Sequence, residues 1–261
     1  LGIPYTGSGV LTQAITLDKK RTKEILTHYG IPTARFQLFS SWTEKINPEL
    51  NYPLFVKPNA EGSSKGIRND SIVKNEEELR RMLKMLITTY KQPALVEEYL
   101  EGREFTVSVL GNSPSKVMPI VEVTFDYLPE GVHKFDSYEV KWIWDSPNNP
   151  IDPVICPAQI SKELEKQITT IATKTYKCLG VQDFCRMDIR LNGAGVPNVI
   201  ELNALPGLMP DPVENSRFPK ACFTAGMTYD QIILAIFDAA MERYGLTKQI
   251  KVRQKLANLK K

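Results

Sequence analysis

The chain has only two histidines and four cysteines in 261 residues, and neither kind is arranged for chemistry of its own. Cys156, Cys178, Cys185 and Cys222 contain no C-x-x-C pair, and His28 and His133 are the only imidazoles that could join them. That pattern excludes the usual zinc sites and a disulfide framework, and leaves reduced, mostly buried thiols. No apolar run is long enough to cross a bilayer, and the opening lacks the basic-then-apolar order of a signal peptide, so a cytoplasmic protein with no membrane partner is expected. Neither G-x-x-x-x-G-K-[ST] nor G-x-G-x-x-G occurs, which excludes a P-loop and a dinucleotide fingerprint. There is no internal repeat, no low-complexity linker and no convincing Ser or Cys triad. The first residue is Leu rather than Met, and "GIPYTGSG" reads as a connecting loop, so the chain is expected to begin inside a longer protein.

Charge of one sign is also lacking, except at one end. The net charge is +3, but residues 247–261 carry six Lys or Arg and no acid, and the rest holds 27 basic against 30 acidic residues. A frayed, solvated tail explains this composition without a nucleic-acid partner.

What is present is strong periodicity. "NEEELRRMLKMLITTY" places Leu79, Met82, Leu83, Leu86, Ile87 and Tyr90 at the helical period behind Asn75 and Glu78, a capping pair. Further helices are predicted from Asp18 to Tyr29, from Ser161 to Cys178, and from Thr228, paired with Gln231, to Gly245. Strands are predicted at 35–39, 53–57, 94–98, 104–110, 116–123, 183–191 and 197–203. Without regular β-α-β alternation, this is an α+β chain in two lobes, divided near residue 103.

Three stretches carry chemistry. In the hairpin "DFCRMDIRL–NGAGV–PNVIELN", the period of two puts Cys185, Met187, Ile189 and Leu191 on a core face and Arg186, Asp188 and Arg190 on the other. If Leu191 lies opposite Asn198, Asp188 meets Glu201 and Arg186 meets Asn203. Facing carboxylates repel unless a cation lies between them, and an Asp/Glu/Asn oxygen set suits Mg²⁺ or Mn²⁺. An exposed strand face whose acids pair with Arg186 and Arg190 fits the same pattern, and register decides between them. The second stretch, "YPLFVKPNAEGSSKGI", ends a strand in Lys57 and continues through Gly62, Ser63, Ser64 and Gly66, small residues that let backbone N–H groups approach phosphate. A plain turn is the alternative. The third, "ALVEEYLEGREFTV", gathers Glu97, Glu98, Glu101 and Glu104 around Tyr99 and Leu100, either to accept from a base and ribose or as a solvated surface.

In chain order, "LDKKRTK", "FVKPNAEGSSKGI", "VEEYLEGREFTV", "SYEVKW", "CRMDIRL" and "VIELNALPG" closely resemble the ATP-grasp fold of D-alanine–D-alanine ligases, over residues 1 to about 246. The resemblance implies residues 1–16 as a connecting loop from an N-terminal domain, 17–103 as the central ATP-grasp subdomain, 104–246 as the C-terminal subdomain with metal and oxyanion sites, and 247–261 as the basic tail. It implies ATP and Mg²⁺ or Mn²⁺, two ions, as cofactors, small amino acids as substrates, and leaves a homodimer open. Lys19, Lys57 and Lys141 resemble the family's phosphate-contacting lysines, and Gly62, Ser63, Ser64 and Gly66 its phosphate-covering loop. Glu97 and Glu104 correspond to adenine and ribose contacts, and Tyr99 and Leu100 to backbone positions along the base. Asp188, Glu201 and Asn203 correspond to the metal ligands, and Arg186 with the N–H of Gly207 to the oxyanion site.

The activity so implied is an ADP-forming ligation of a carboxylate to an amine through an acyl phosphate, in peptidoglycan precursor synthesis. Two departures bear on the acceptor. Pro212 stands where the family's acceptor-binding serine is expected, and Trp142 replaces the tyrosine that bonds with the loop serine, here Ser63. An ATP-grasp ligase for another amino acid or dipeptide is the nearest alternative, and a nucleotide-binding module without catalysis the more distant one.

Overall fold

The computed structural model describes residues 2–125, 127–128, 131–135, 153–246 and 248. Lys141, Trp142 and the tail from residue 249 lie outside the described residues. Among those described, no helix is long and apolar enough to cross a membrane.

Two antiparallel sheets organise the chain. The first has four strands, β1 (Phe36–Phe39), β2 (Leu54–Pro58), β3 (Ile72–Val73) and β4 (Ala94–Glu98), in the order β1-β4-β2-β3. One helix, α3 (Glu76–Tyr90), covers one face. Its N-cap Asn75 accepts from the Glu78 N–H, three glutamates follow in the first turn, and Leu79, Met82, Leu83 and Leu86 are buried. They pack against Phe39, Leu54, Val56 and Val96, each worth roughly 1.5–3 kcal/mol of burial. Because strand side chains alternate, Phe55, Lys57, Leu95 and Glu97 point to the other face.

The second sheet is built from β5 (Glu104–Leu110), β6 (Lys116–Val117), β7 (Val121–Val123), β8 (Val154–Ile155), β9 (Phe184–Leu191) and β10 (Pro197–Asn203). Its order is β10-β9-β5-β7-β8, with β6 also on β5. Phe105, Val107, Met187, Ile189, Val199 and Leu202 face a core closed by α4 (Lys162–Cys178), through Ile168 and Ala172, and by Leu26 of α2 (Lys19–His28). The chain order groups α2 with the first lobe, yet its apolar side belongs to the second core. At the far end of the opposite face, Leu110 and Phe184 pack on α5 (Arg217–Thr224) and α6 (Tyr229–Arg243). The near end carries Glu104, Thr106, Asp188 and Arg190 and is left for the cleft.

Three expectations change. Residues 10–17 are not loop but α1 (Val10–Leu17), which buries only Thr12 and Thr16 and leaves Val10, Leu11 and Leu17 exposed, so the usual apolar signal points the wrong way. The predicted strand 116–123 is two strands, broken where Pro119 can give the ladder no N–H. The assumed pairing of Leu191 with Asn198 is also corrected, since Leu191 pairs with Pro197 and Arg190 with Asn198.

Candidate nucleotide cleft

The register error matters because it cancels. A bulge between Val199 and Glu201 inserts Ile200 as an extra residue, so Asp188 still meets Glu201 and Arg186 still meets Asn203. Continued without the bulge, the hairpin register would set Glu201 opposite Met187, on the core face. The bulge turns Glu201 and Asn203 toward Asp188 and leaves Ile200 half-buried in the cleft wall.

There the three side chains converge. The Asn203 amide nitrogen lies 3.2 Å from Glu201 Oε1 and 3.5 Å from Asp188 Oδ2. A half-turn of that amide would present its oxygen instead, and amide orientation follows the partner. Thr106 Oγ1 donates to Asp188 Oδ1 at 2.9 Å, and Arg186 Nη2 donates to Asp188 Oδ2 at 2.9 Å. Arg186 Nε is buried without a hydrogen-bond partner among the described residues, leaving a donor to spare. Among the described residues no three His, Cys, Asp or Glu side chains cluster as a metal cage, so this is two carboxylates and an amide. Mg²⁺ is commonly held by such a set of one or two carboxylates, completed by phosphate oxygens and water, and the donor chemistry fits.

Across the cleft stand cations. Lys19 Nζ lies 3.6 Å from Glu201 and donates to the Glu61 carbonyl at 2.5 Å. Burial opposes ionisation of Glu201, but Lys19, Lys57 and Arg186 outweigh it and hold its carboxyl at about 2. Lys57 Nζ donates to Glu97 Oε1 at 2.6 Å, and Lys23, from the buried side of α2, pairs with Glu97 Oε2 at 2.7 Å. Burial again opposes the charge on Glu97, and the two ammonium groups again prevail, holding it at about 2. A carboxylate has about four acceptor positions, so Glu97 keeps capacity toward the cleft, which it lines.

The other end of the cleft is aromatic. Phe55 and Phe135 meet edge to face at 5.1 Å, and Phe55 stacks with Tyr99 at 6.4 Å. Arg190 lies behind them, 5.1 Å from the Tyr99 ring, donating to Glu104 Oε2 at 3.0 Å, to the Tyr99 hydroxyl at 3.1 Å and to the carbonyls of Gly102 and Lys134. The cleft spans about 740 Å³, part of it open to solvent.

Most of the sequence-predicted residues meet here. Lys19, Lys57, Ser64, Glu97, Tyr99, Leu100, Glu104, Asp188 and Glu201 all line its wall. Arg186 and Asn203 stand beside Asp188, while Gly62, Ser63 and Gly207 are not part of the wall. In the loop, Ser63, Ser64 and Gly66 take positive φ of 55°, 57° and 77°, conformations a serine adopts only under constraint. Gly207 is held from outside, its carbonyl accepting from Ser216 Oγ at 2.9 Å. Pro212 begins an exposed 3₁₀ turn, so the hydroxyl beside Gly207 comes from Ser216.

Lys23, Thr106, Phe55, Arg190 and Ile200 also stand at the site, with no motif to mark them. Strand alternation marks Phe55 and Arg190 as facing away from the cores, but which strand lies beside β9, and so what Thr106 touches, is not written in local sequence.

Comparisons with known proteins bear on the family and the fold. A family model described as "D-ala D-ala ligase C-terminus" matches residues 25–238. The protein y4sG of Sinorhizobium fredii, itself uncharacterized, is 36% identical over 243 residues, 93% of this chain and 68% of that protein. The D-alanine–D-alanine ligase of Mannheimia succiniciproducens is 33% identical over 244 residues, 91% of this chain and 72% of the relative. The structure of D-alanine–D-alanine ligase from Bacillus anthracis complexed with ATP superposes with a TM-score of 0.71 at 26% identity, over 92% of this chain and 71% of that one. A two-sheet ATP-grasp fold, matched over most of its length in sequence and in structure, places this chain in the D-alanine–D-alanine ligase C-terminal family.

Proposed function

We propose that this chain holds the nucleotide and catalytic groups of an ATP-dependent carboxylate–amine ligase of the D-alanine–D-alanine type, working in the cytoplasm on peptidoglycan precursors. The observation that carries the reading is the bulged hairpin, which sets Asp188, Glu201 and Asn203 on one wall while Lys19 and Lys57 face them. The base and ribose fit the end made by Phe55, Tyr99, Phe135 and Glu104, and the phosphates the end made by the lysines and the 62–66 loop.

A carboxylate is a poor electrophile for amide formation. One of its oxygens therefore takes the γ-phosphoryl group of ATP, releasing ADP, and the amine attacks the resulting acyl phosphate, releasing phosphate. Lys19 and Lys57 oppose the charge on the phosphates, and Lys141, outside the described residues, is proposed to do the same. Mg²⁺ bound between the acidic side chains would supply further neutralisation of the phosphate oxygens. Arg186, with its unpaired Nε, and the Gly207 N–H are assigned to the oxyanion of the second step.

The acceptor amine is proposed to bind beside Gly207. Next to Gly207 stands the hydroxyl of Ser216, whose proton goes to the Gly207 carbonyl and would have to turn to reach an acceptor carboxylate. Calorimetry with a non-hydrolysable ATP analogue and Mg²⁺ tests the reading. Binding is expected in the wild-type chain, and Glu201→Gln, which keeps shape and removes one charge, should weaken it by at least about tenfold. Intact binding with reduced stability would return this hairpin to a structural role.

A further inference from the structure

Strand β10 is the edge of its sheet, and edge strands need cover. Its bulge is covered by two residues from a distant loop. The Val199 N–H donates to the Pro32 carbonyl at 2.9 Å, and the Thr33 hydroxyl donates to the Val199 carbonyl at 2.8 Å. Both backbone groups of the last regularly paired residue before the bulge are thereby fixed. The Thr33 oxygen in turn accepts from Lys23 Nζ at 2.6 Å, and the same ammonium pairs with Glu97 at 2.7 Å. A continuous chain of one ion pair and two hydrogen bonds thus runs from Glu97, on the first sheet, through Lys23 and Thr33 to the residue that launches the bulge on the second.

We propose that Thr33 is a positioning residue for Glu201: by accepting from Lys23 and donating to Val199 it locks the bulge at Ile200, and so aims the Glu201 carboxylate at Asp188. This rests on reading Asp188, Glu201 and Asn203 as the divalent-cation set. The hydroxyl serves both contacts at once, one as acceptor and one as donor, and only Ser or Thr among small side chains can do so. Loss of the hydroxyl frees the Val199 carbonyl, and the strand can then move toward the unbulged register that carries Glu201 to the core face.

The test compares wild type, Thr33→Val and Thr33→Ser by calorimetry, using a non-hydrolysable ATP analogue with and without Mg²⁺, and by thermal melting. Wild type should gain affinity when Mg²⁺ is added. In Thr33→Val that gain should shrink about five- to tenfold, while Mg²⁺-free affinity stays within about twofold, since Lys57 still holds Glu97. Thr33→Ser should restore the gain, because it restores the hydroxyl. Should the valine variant fail to fold, Thr33→Ala removes the same group and gives the same comparison. An unchanged Mg²⁺ gain in Thr33→Val, whatever its melting midpoint, would overturn the positioning role, as would a serine variant no better than valine. A wild-type chain that binds the analogue with no Mg²⁺ gain would overturn the cation-site reading itself, and this inference with it.

Discussion

Glu97 has no room for error at the level of a single side chain. Its carboxylate is buried between Lys23 and Lys57, and each ammonium would stand unpaired on that side if it were neutral. The group is held at about 2, below its ordinary 4.5, so its contribution to stability is complete above about 4.5 and is lost as pH falls through about 2. Urea unfolding between pH 6 and pH 2 should show stability falling across that window, and Glu97→Gln should lose that part of the slope and start roughly 3–5 kcal/mol lower. A variant with the wild-type slope would mean that other carboxylates govern the acid limb. Ser216 and Pro212 offer a second comparison at this scale. If Ser216 bonds the acceptor, Ser216→Ala should raise KM for the amine about tenfold with a smaller change in kcat, and Pro212→Ser should do little. The opposite ranking would return the acceptor contact to position 212.

Elements were legible where local chemistry and burial agree. Thr228 and Gln231 form the capping box that their spacing predicts, and the ends of α3 and α4 lie at Asn75 and Ser161 as their side chains dictate. α1 was not legible because Val10, Leu11 and Leu17 face outward and only Ile15 among its large apolar side chains packs on a core, and α5 because Pro219 and a short length hide its period. The convergence of Asp188, Glu201 and Asn203 was visible from alternation and the resemblance, but not the bulge, since the assumed register happened to meet the true one only past Ile200. Lys23 and Thr33 left no local trace, because their partners lie 74 and 166 positions away in numbering. The 62–66 loop belongs to this scale too. Gly66 has φ +77°, and a Cβ there would lie 2.6 Å from Pro58 Cγ, at the end of β2. Gly66→Ala should therefore cost about 1–3 kcal/mol and displace the loop, weakening the ATP analogue more than a matched change at Gly62, where the Cβ meets nothing within 4 Å. Equal effects at both glycines would show that the loop acts through flexibility alone.

At the scale of the molecule, the two sheets have separate cores but share one cleft. Phe55, Lys57 and Glu97 come from the first sheet, and Asp188, Arg190, Ile200 and Glu201 from the second, so no ligand filling the cleft can favour one sheet alone. Other links join them as well: the Lys23–Glu97 ion pair, the bonds of Asn59 to the start of α2, the 98–104 strap held by Arg190, and the contact of residues 32 and 33 with Val199. A ligand that touches both walls adds its binding free energy to the folded state of the pair, about 2.7 kcal/mol when present at a hundred times its Kd. For a chain of this size that corresponds to a rise in Tm of roughly 5–10 °C. Calorimetric melting with saturating ATP analogue and Mg²⁺ should show this rise as a single transition that sharpens, because the walls must then open together. Without ligand, the same trace should be broader, with the cores less tightly coupled. If the analogue raises only one of two resolved transitions and leaves the other where it was, the nucleotide touches one lobe, and the shared cleft is not its site.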